Sequence, residues 1–272
     1  MISKYMKNKY IVFIGFLVSL LVSVYCIEYI RWKHLWALEP PITPYTINHS
    51  VSDTIKIVMI GDSWVEQHET KIGDSVYQKI ISGTLGHSVS FLSSGKSGAK
   101  CRDVYNMLFE TGQYGTIPLL SQGPDFCIII VGINDAAANI GTRQFCYYYQ
   151  QIIDFMLSNK ICPIVVELPD VTIPKMFNKK TTKDRFVDWM RSVMTRCSLY
   201  NFSEYRYALN EMLKNGSMRD VVFVNVQGWN KRGFQIEKEL FMKDGVHLNR
   251  RGYQRLDSCI ATAIVKRMKV VK

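Results

Sequence analysis

The chain has 272 residues, 47% of them apolar, and a net charge of +11 at pH 7. That length holds one large domain or two small ones, and the apolar share is ordinary for a globular protein with a sizeable core. The positive charge gathers at the two ends, so it does not mark the whole chain as a nucleic-acid binder, and no nucleic-acid partner is expected. Seven cysteines are present, at 26, 101, 127, 146, 162, 197 and 259, and none forms a Cys-x-x-Cys pair. A zinc ribbon or a thioredoxin-type site is thereby set aside. Cys127 and Cys162 fall inside apolar runs and read as small core residues, while pairing among the others, such as Cys101 with Cys146, is left open.

Residues 10–27 (YIVFIGFLVSLLVSVYCI) carry no charge. At ~1.5 Å per residue they span about 27 Å, close to the ~30 Å hydrocarbon core of a bilayer. Tyr5, Tyr10, Tyr25, Tyr29, Trp32 and Trp36 flank the run as an interfacial belt would. No small-x-small cleavage pattern lies between Ser23 and Glu39, so an uncleaved signal-anchor helix over 10–30 is predicted rather than a removable leader. Lys4, Lys7 and Lys9 precede the run, against Arg31 and Lys33 after it. This places segment 1–9 in the cytoplasm and the remainder of the chain on the extracytoplasmic side of the cytoplasmic membrane. Residues 31–54, with Pro40, Pro41 and Pro44, read as a tether, and 55–272 as one globular domain.

Short apolar runs then alternate with helix-like stretches. The runs are Ile55–Ile60, His87–Leu92, Phe126–Val131, Pro163–Leu168 and Val221–Val226; Phe145–Leu157 and Arg185–Arg196 are among the helix-like stretches. Such alternation predicts βαβ units, hence an α/β fold with a mainly parallel five-stranded sheet covered by helices on both faces. Gly61-Asp62-Ser63, Ser97-Gly98 and Gly132-Ile133-Asn134-Asp135 each follow one of the first three strands, and Asp244-Gly245-Val246-His247 follows the fifth. All four therefore fall at the carboxyl edge of one sheet, where ligands of open α/β folds bind.

The residue types at these places suit acyl transfer. Ser63 on a strand-to-helix turn is a candidate nucleophile, although Asp62 or Ser63 would also serve as a helix cap. His247 is the candidate base, with Asp244 to fix its tautomer. Of the five histidines it alone has an aspartate three residues before it. The backbone N–H groups of Ser63 and Gly98 and the side chain of Asn134 are candidate oxyanion donors, with Gly95 a second glycine in the same loop.

The segments IVMIGDSW, GKSGAK, VGIND and DGVHLNRRGY resemble, in order and spacing, the four blocks of the SGNH/GDSL hydrolase superfamily over roughly residues 55–265. The resemblance implies a flavodoxin-like three-layer α/β/α sandwich and chemistry without a metal or other cofactor. It maps the nucleophile to Ser63, the oxyanion hole to Ser63, Gly98 and Asn134, and the Asp-x-x-His pair to Asp244 and His247. The residue after the serine is usually Leu; here it is Trp64, expected to line the acyl pocket as a substrate-binding residue. The stretch Asp170–Asp220 carries Lys175, Lys179, Lys180, Lys183 and Arg185, and reads either as a substrate-facing cap or as a solvated helix pair.

The function expected is that of a membrane-anchored serine esterase removing a small acyl group, acetyl above all, from a glycan or related ester outside the cytoplasmic membrane. Two alternatives stay open: an O-acyltransferase using the same residues on an envelope glycan, and an inactive envelope binding module. The expected partners are the ester-bearing substrate and the membrane.

Overall fold

A computed structural model of the chain describes residues 2–37, 45–71, 75–169, 171, 180–216, 220–226 and 239–271. The prolines of the expected tether, together with Lys175 and Lys179, lie outside the described residues. A single helix, α1 (Ile2–Ala37), opens the chain. Its segment Lys9–His34 is long and apolar enough to cross a membrane, and its most apolar stretch is not buried against the rest of the protein. Tyr25, Tyr29 and Trp32 stack in sequence along it, with ring centroids 6.4 Å apart at each step.

The five predicted strands all form. They are β1 (Thr54–Gly61), β2 (Ser88–Gly95), β3 (Phe126–Ile130), β4 (Cys162–Val166) and β5 (Val222–Val224). They pair in parallel throughout, in the order β2-β1-β3-β4-β5. β3 is buried at every residue, as expected of a central strand covered on both faces. β2 extends further toward its carboxyl end than its apolar run, because Ser93, Ser94 and Gly95 pair with Met59, Ile60 and Gly61 of β1. β5 is shorter than its run, with only three residues in register with β4.

Helices cover both faces. On one side lie α3 (Cys101–Met107), α6 (Thr142–Ser158) and α8 (Phe202–Asn215), which pack on one another. On the other lie α2 (Ser63–Lys71), a helical stretch over 75–85 with a π-helical turn at Gln78–Ser82, and α9 (Arg250–Val271). α6 buries Phe145, Tyr148, Tyr149, Ile152, Ile153 and Met156, the i, i+3/i+4 face that its periodicity demands. Three short or peripheral helices remain among the described residues: α4 (Ile117–Leu120), α5 (Ile133–Ala137) and α7 (Thr182–Thr195). All seven cysteine thiols are free.

The strand order matters for function. The chain moves from β1 outward to β2, then crosses to the other side of β1 for β3. A crevice opens at such a reversal, beyond the carboxyl ends of the two strands that straddle it. The segments leaving β1 and β3 carry Ser63 and Asn134.

Candidate active site

Gly61 ends β1 where the β3 backbone comes closest; a Cβ there would lie 2.0 Å from the Ile130 carbonyl oxygen. The chain then turns into α2 through Asp62. One carboxylate oxygen of Asp62 accepts the Trp64 N–H at 2.9 Å, and its carbonyl accepts those of Val65 and Glu66 at 3.1 Å each. Asp62 is thus the residue that caps α2, and the Ser63 hydroxyl turns instead toward His247. Burial pushes the Asp62 carboxyl up to about 7, against the pull of the Trp64 N–H. Asp135, at the mouth of β3, is also fully buried and pushed up to about 7, despite the Cys101 N–H that it accepts at 3.0 Å.

His247 is held by a tight loop. Phe241 bridges Leu248 in antiparallel fashion, the Met242 N–H donates to the His247 carbonyl at 2.7 Å, and Gly245 takes a φ of +70° that a side chain would strain. The two oxygens of Asp244 divide the work. Oδ1 accepts the N–H groups of Val246 and His247 at 2.9 and 3.0 Å, fixing the loop. Oδ2 lies 2.7 Å from His247 Nδ1, fixing the ring. Partial burial raises the Asp244 pKa, but these hydrogen bonds outweigh it and bring it down to about 2. The carboxylate is therefore ionised at neutral pH and holds the proton on Nδ1. Nε2, 2.9 Å from Ser63 Oγ, is left to accept the hydroxyl proton. Ser63, His247 and Asp244 so form one continuous hydrogen-bonded chain, in the geometry that activates a serine hydroxyl.

The expected oxyanion donors come from two loops tied together. Asn134 Nδ2 donates to the Ala99 carbonyl at 3.0 Å and lies 3.5 Å from Asp62 Oδ2, so the β2 and β3 exits meet beside the β1 exit. Ser97 Oγ donates to Glu66 of α2, and the Lys96 N–H to the Gly61 carbonyl at 3.1 Å, binding the β2 loop to the nucleophile turn. The two glycines of this loop differ in kind. A Cβ at Gly95 would sit 2.2 Å from the Glu66 nitrogen, so its role is close packing under α2. Gly98 has a φ of +78° and open space about it, as a position facing a ligand requires.

Trp64 departs from the sequence expectation. Its ring is 1% exposed and packs edge-on to Phe241, facing the core rather than an acyl pocket. Its indole N–H donates to the Val246 carbonyl at 3.1 Å, one residue before His247, while its own carbonyl accepts the Tyr253 hydroxyl at 2.8 Å. Trp64 therefore joins the nucleophile turn to the histidine loop from below. A second tie was equally invisible in the sequence. His68 of α2 lies 2.9 and 3.0 Å from the two oxygens of Asp257 on α9, and Tyr77 donates to the same carboxylate at 2.9 Å, all three side chains being buried. No local pattern links residues about 190 positions apart; only the polar character of Asp257 within an otherwise apolar helix face hinted at a buried partner.

The profile of the GDSL-like lipase/acylhydrolase family matches residues 59–255. The chain belongs to that family, and it is an SGNH-type serine hydrolase. Among solved structures, the fold is similar to that of a GDSL-like lipase from Bacteroides thetaiotaomicron, with 18% identity, a TM-score of 0.52, and 88% of this chain and 98% of that one covered. It is also similar to a lipase from a goat rumen metagenome, with 15% identity, a TM-score of 0.50, and 77% and 97% covered. No curated protein matches the sequence.

Proposed function

We propose that Ser63 is the nucleophile of a serine esterase, with His247 as general base and Asp244 as its orienting carboxylate. The observation that carries this reading is the unbroken chain from Asp244 Oδ2 through both nitrogens of His247 to Ser63 Oγ, at 2.7 and 2.9 Å. In the reaction, His247 Nε2 takes the hydroxyl proton as Ser63 Oγ attacks the ester carbonyl. The oxyanion faces the backbone N–H groups of Ser63 and Gly98 and the side chain of Asn134. Collapse of the tetrahedral intermediate returns the proton to the leaving alcohol and leaves an acyl-serine. Water, deprotonated by the same imidazole, then releases the acid.

The substrate in this reading is a small acyl ester, acetyl first, on a glycan or related alcohol. Ser63 keeps only 9% of its surface open, so the ester carbonyl must reach its hydroxyl at a confined spot. The apolar helix α1 and the lysines that precede its uncharged run support a catalytic domain held at the outer face of the cytoplasmic membrane. The test is a panel of esters with acyl chains of increasing length, together with acetylated glycans, offered to the full chain. Turnover that falls as the acyl chain grows, with acetate released from the glycans, is the expected result. A preference for long acyl chains with no acetate release would overturn the substrate assignment.

A further inference from the structure

We infer that the outer face of α7 is a docking surface for an anionic lipid bilayer, seating the catalytic domain on the membrane that α1 enters. The inference rests on the reading of α1 as a membrane span. Its starting point is where α1 meets the domain. Glu28, Arg31, Trp32 and His34 face Val187, Arg191 and Met194 of α7 across a cleft of about 280 Å³. The uncharged run of α1 ends at Ile27, one residue before the first of them. At ~1.5 Å per residue, Glu28–His34 extend roughly 10 Å from the end of that uncharged run, through the depth of the headgroups to the water just outside them. α7 is therefore at the level of the membrane surface.

The other side of α7 is built for that level. Phe186 and Trp189 stack with ring centroids 5.9 Å apart, and they remain 38% and 52% exposed. Val193, also 52% exposed, continues the same stripe at helical spacing. Asp188 is buried on the side of the helix away from the stripe, and Met190, next to Phe186 and Val193 around the helix, is buried at the stripe's edge. Lys183, Arg185 and Arg196 are exposed around the stripe. Exposed aromatic rings framed by cations fit the boundary between acyl chains and anionic headgroups; they do not fit open water.

The inner side of α7 leads to the catalytic machinery. Lys180, just before the helix, donates to the Ala137 carbonyl and pairs with Asp188. Arg191 donates to the Ala138 carbonyl at 3.3 Å. Both hold the carboxyl end of α5, the short helix that carries Asn134. Docking of α7 would thus fix the oxyanion side of the active site relative to the bilayer, close to esters borne on its surface.

The test uses the full chain reconstituted in phosphatidylcholine vesicles with and without phosphatidylglycerol, the lipids brominated near the headgroup. The signal is the tryptophan fluorescence of the wild type minus that of Trp189→Phe. The expected result is that brominated lipid quenches this Trp189 component at least twofold in phosphatidylglycerol vesicles, and that Lys183→Glu/Arg185→Glu abolishes the quenching. A Trp189 component that stays open to aqueous acrylamide and is untouched by brominated lipid overturns the inference. So does one shielded from both, which would mean that a protein covers the face. Flotation separates the two layers of the argument. A chain that fails to float with the vesicles refutes the membrane span itself, whereas one that floats without Trp189 quenching refutes only the docking face.

Discussion

The two edges of the sheet differ sharply. At the amino edge lies a broad cleft of about 520 Å³, lined by Phe126, Leu157, Ile161 and Met268 with Lys160, Cys162, Asp220 and Arg267. Three of its four polar groups engage one another: Arg267 sits 3.5 Å from Asp220, and the Cys162 thiol faces the Asp220 carbonyl. At the carboxyl edge the serine, histidine and aspartate are aligned within 3 Å steps on loops that the strand ends aim at one point. Volume and chemistry part company here. Reactivity depends on convergent donors and a relayed proton, and among the described residues the fold gathers those where the chain reverses about β1.

Substitutions at the two edges should separate just as sharply. Asp244→Asn leaves the loop acceptor Oδ1 in place but no longer selects the Nδ1–H tautomer; kcat for an activated acetyl ester should fall ~10⁴-fold with the fold retained. Asn134→Ala should cost ~10²–10³-fold in kcat with little change in KM, because it removes a donor that matters mainly in the transition state. Trp64→Phe keeps the buried ring but deletes the N–H on the Val246 carbonyl. The histidine loop should loosen, lowering kcat by about tenfold, of the order expected for about 1.4 kcal/mol of misplaced geometry.

The last of these effects marks where the sequence stops being informative. Each motif residue was legible because its role is local: a glycine before a turn, a serine at a strand exit, an aspartate three residues before a histidine. All five strands were legible as apolar runs, and β2 was cut short because its last pairs involve serines. What joins the motifs was not legible. Trp64 reaches a carbonyl 182 residues away, and His68 a carboxylate 189 away. Trp64 read as a pocket ring because nothing in its neighbourhood shows that Phe241 and Tyr253 close around it. Lys180 stands among the cations read as a substrate-facing cap or a solvated helix pair, yet it turns inward to Ala137 and Asp188. Burial and long-range partners are properties of the packed chain.

Beneath the active edge, Asp135 provides a subtler contrast. Its Oδ1 is buried without a hydrogen-bond partner among the described residues, and its carboxyl is raised to about 7 from an ordinary 3.8. A carboxyl raised in the folded state contributes stability that is fully present below about pH 4 and is lost as pH rises through about 7. The melting temperature should therefore decline between pH 5 and pH 8, and Asp135→Asn should lessen that decline, whatever its offset, leaving the share that the likewise raised Asp62 contributes. An equally steep decline in the variant would place the titration elsewhere. The smallest effect belongs to the amino edge. Arg267→Ala breaks a half-exposed ion pair and should cost at most ~1 kcal/mol of stability, leaving kcat/KM within about twofold. A large activity loss there would mean that the broad cleft takes part in the reaction after all.

The central claim is that Ser63 is an activated nucleophile, and a fluorophosphonate probe tests it most directly. Intact-mass and peptide analysis should find one phosphonyl group per chain, on Ser63, with labelling lost in Ser63→Ala and slowed in Asp244→Asn. Labelling on another serine, or none on a folded chain, would contradict the account.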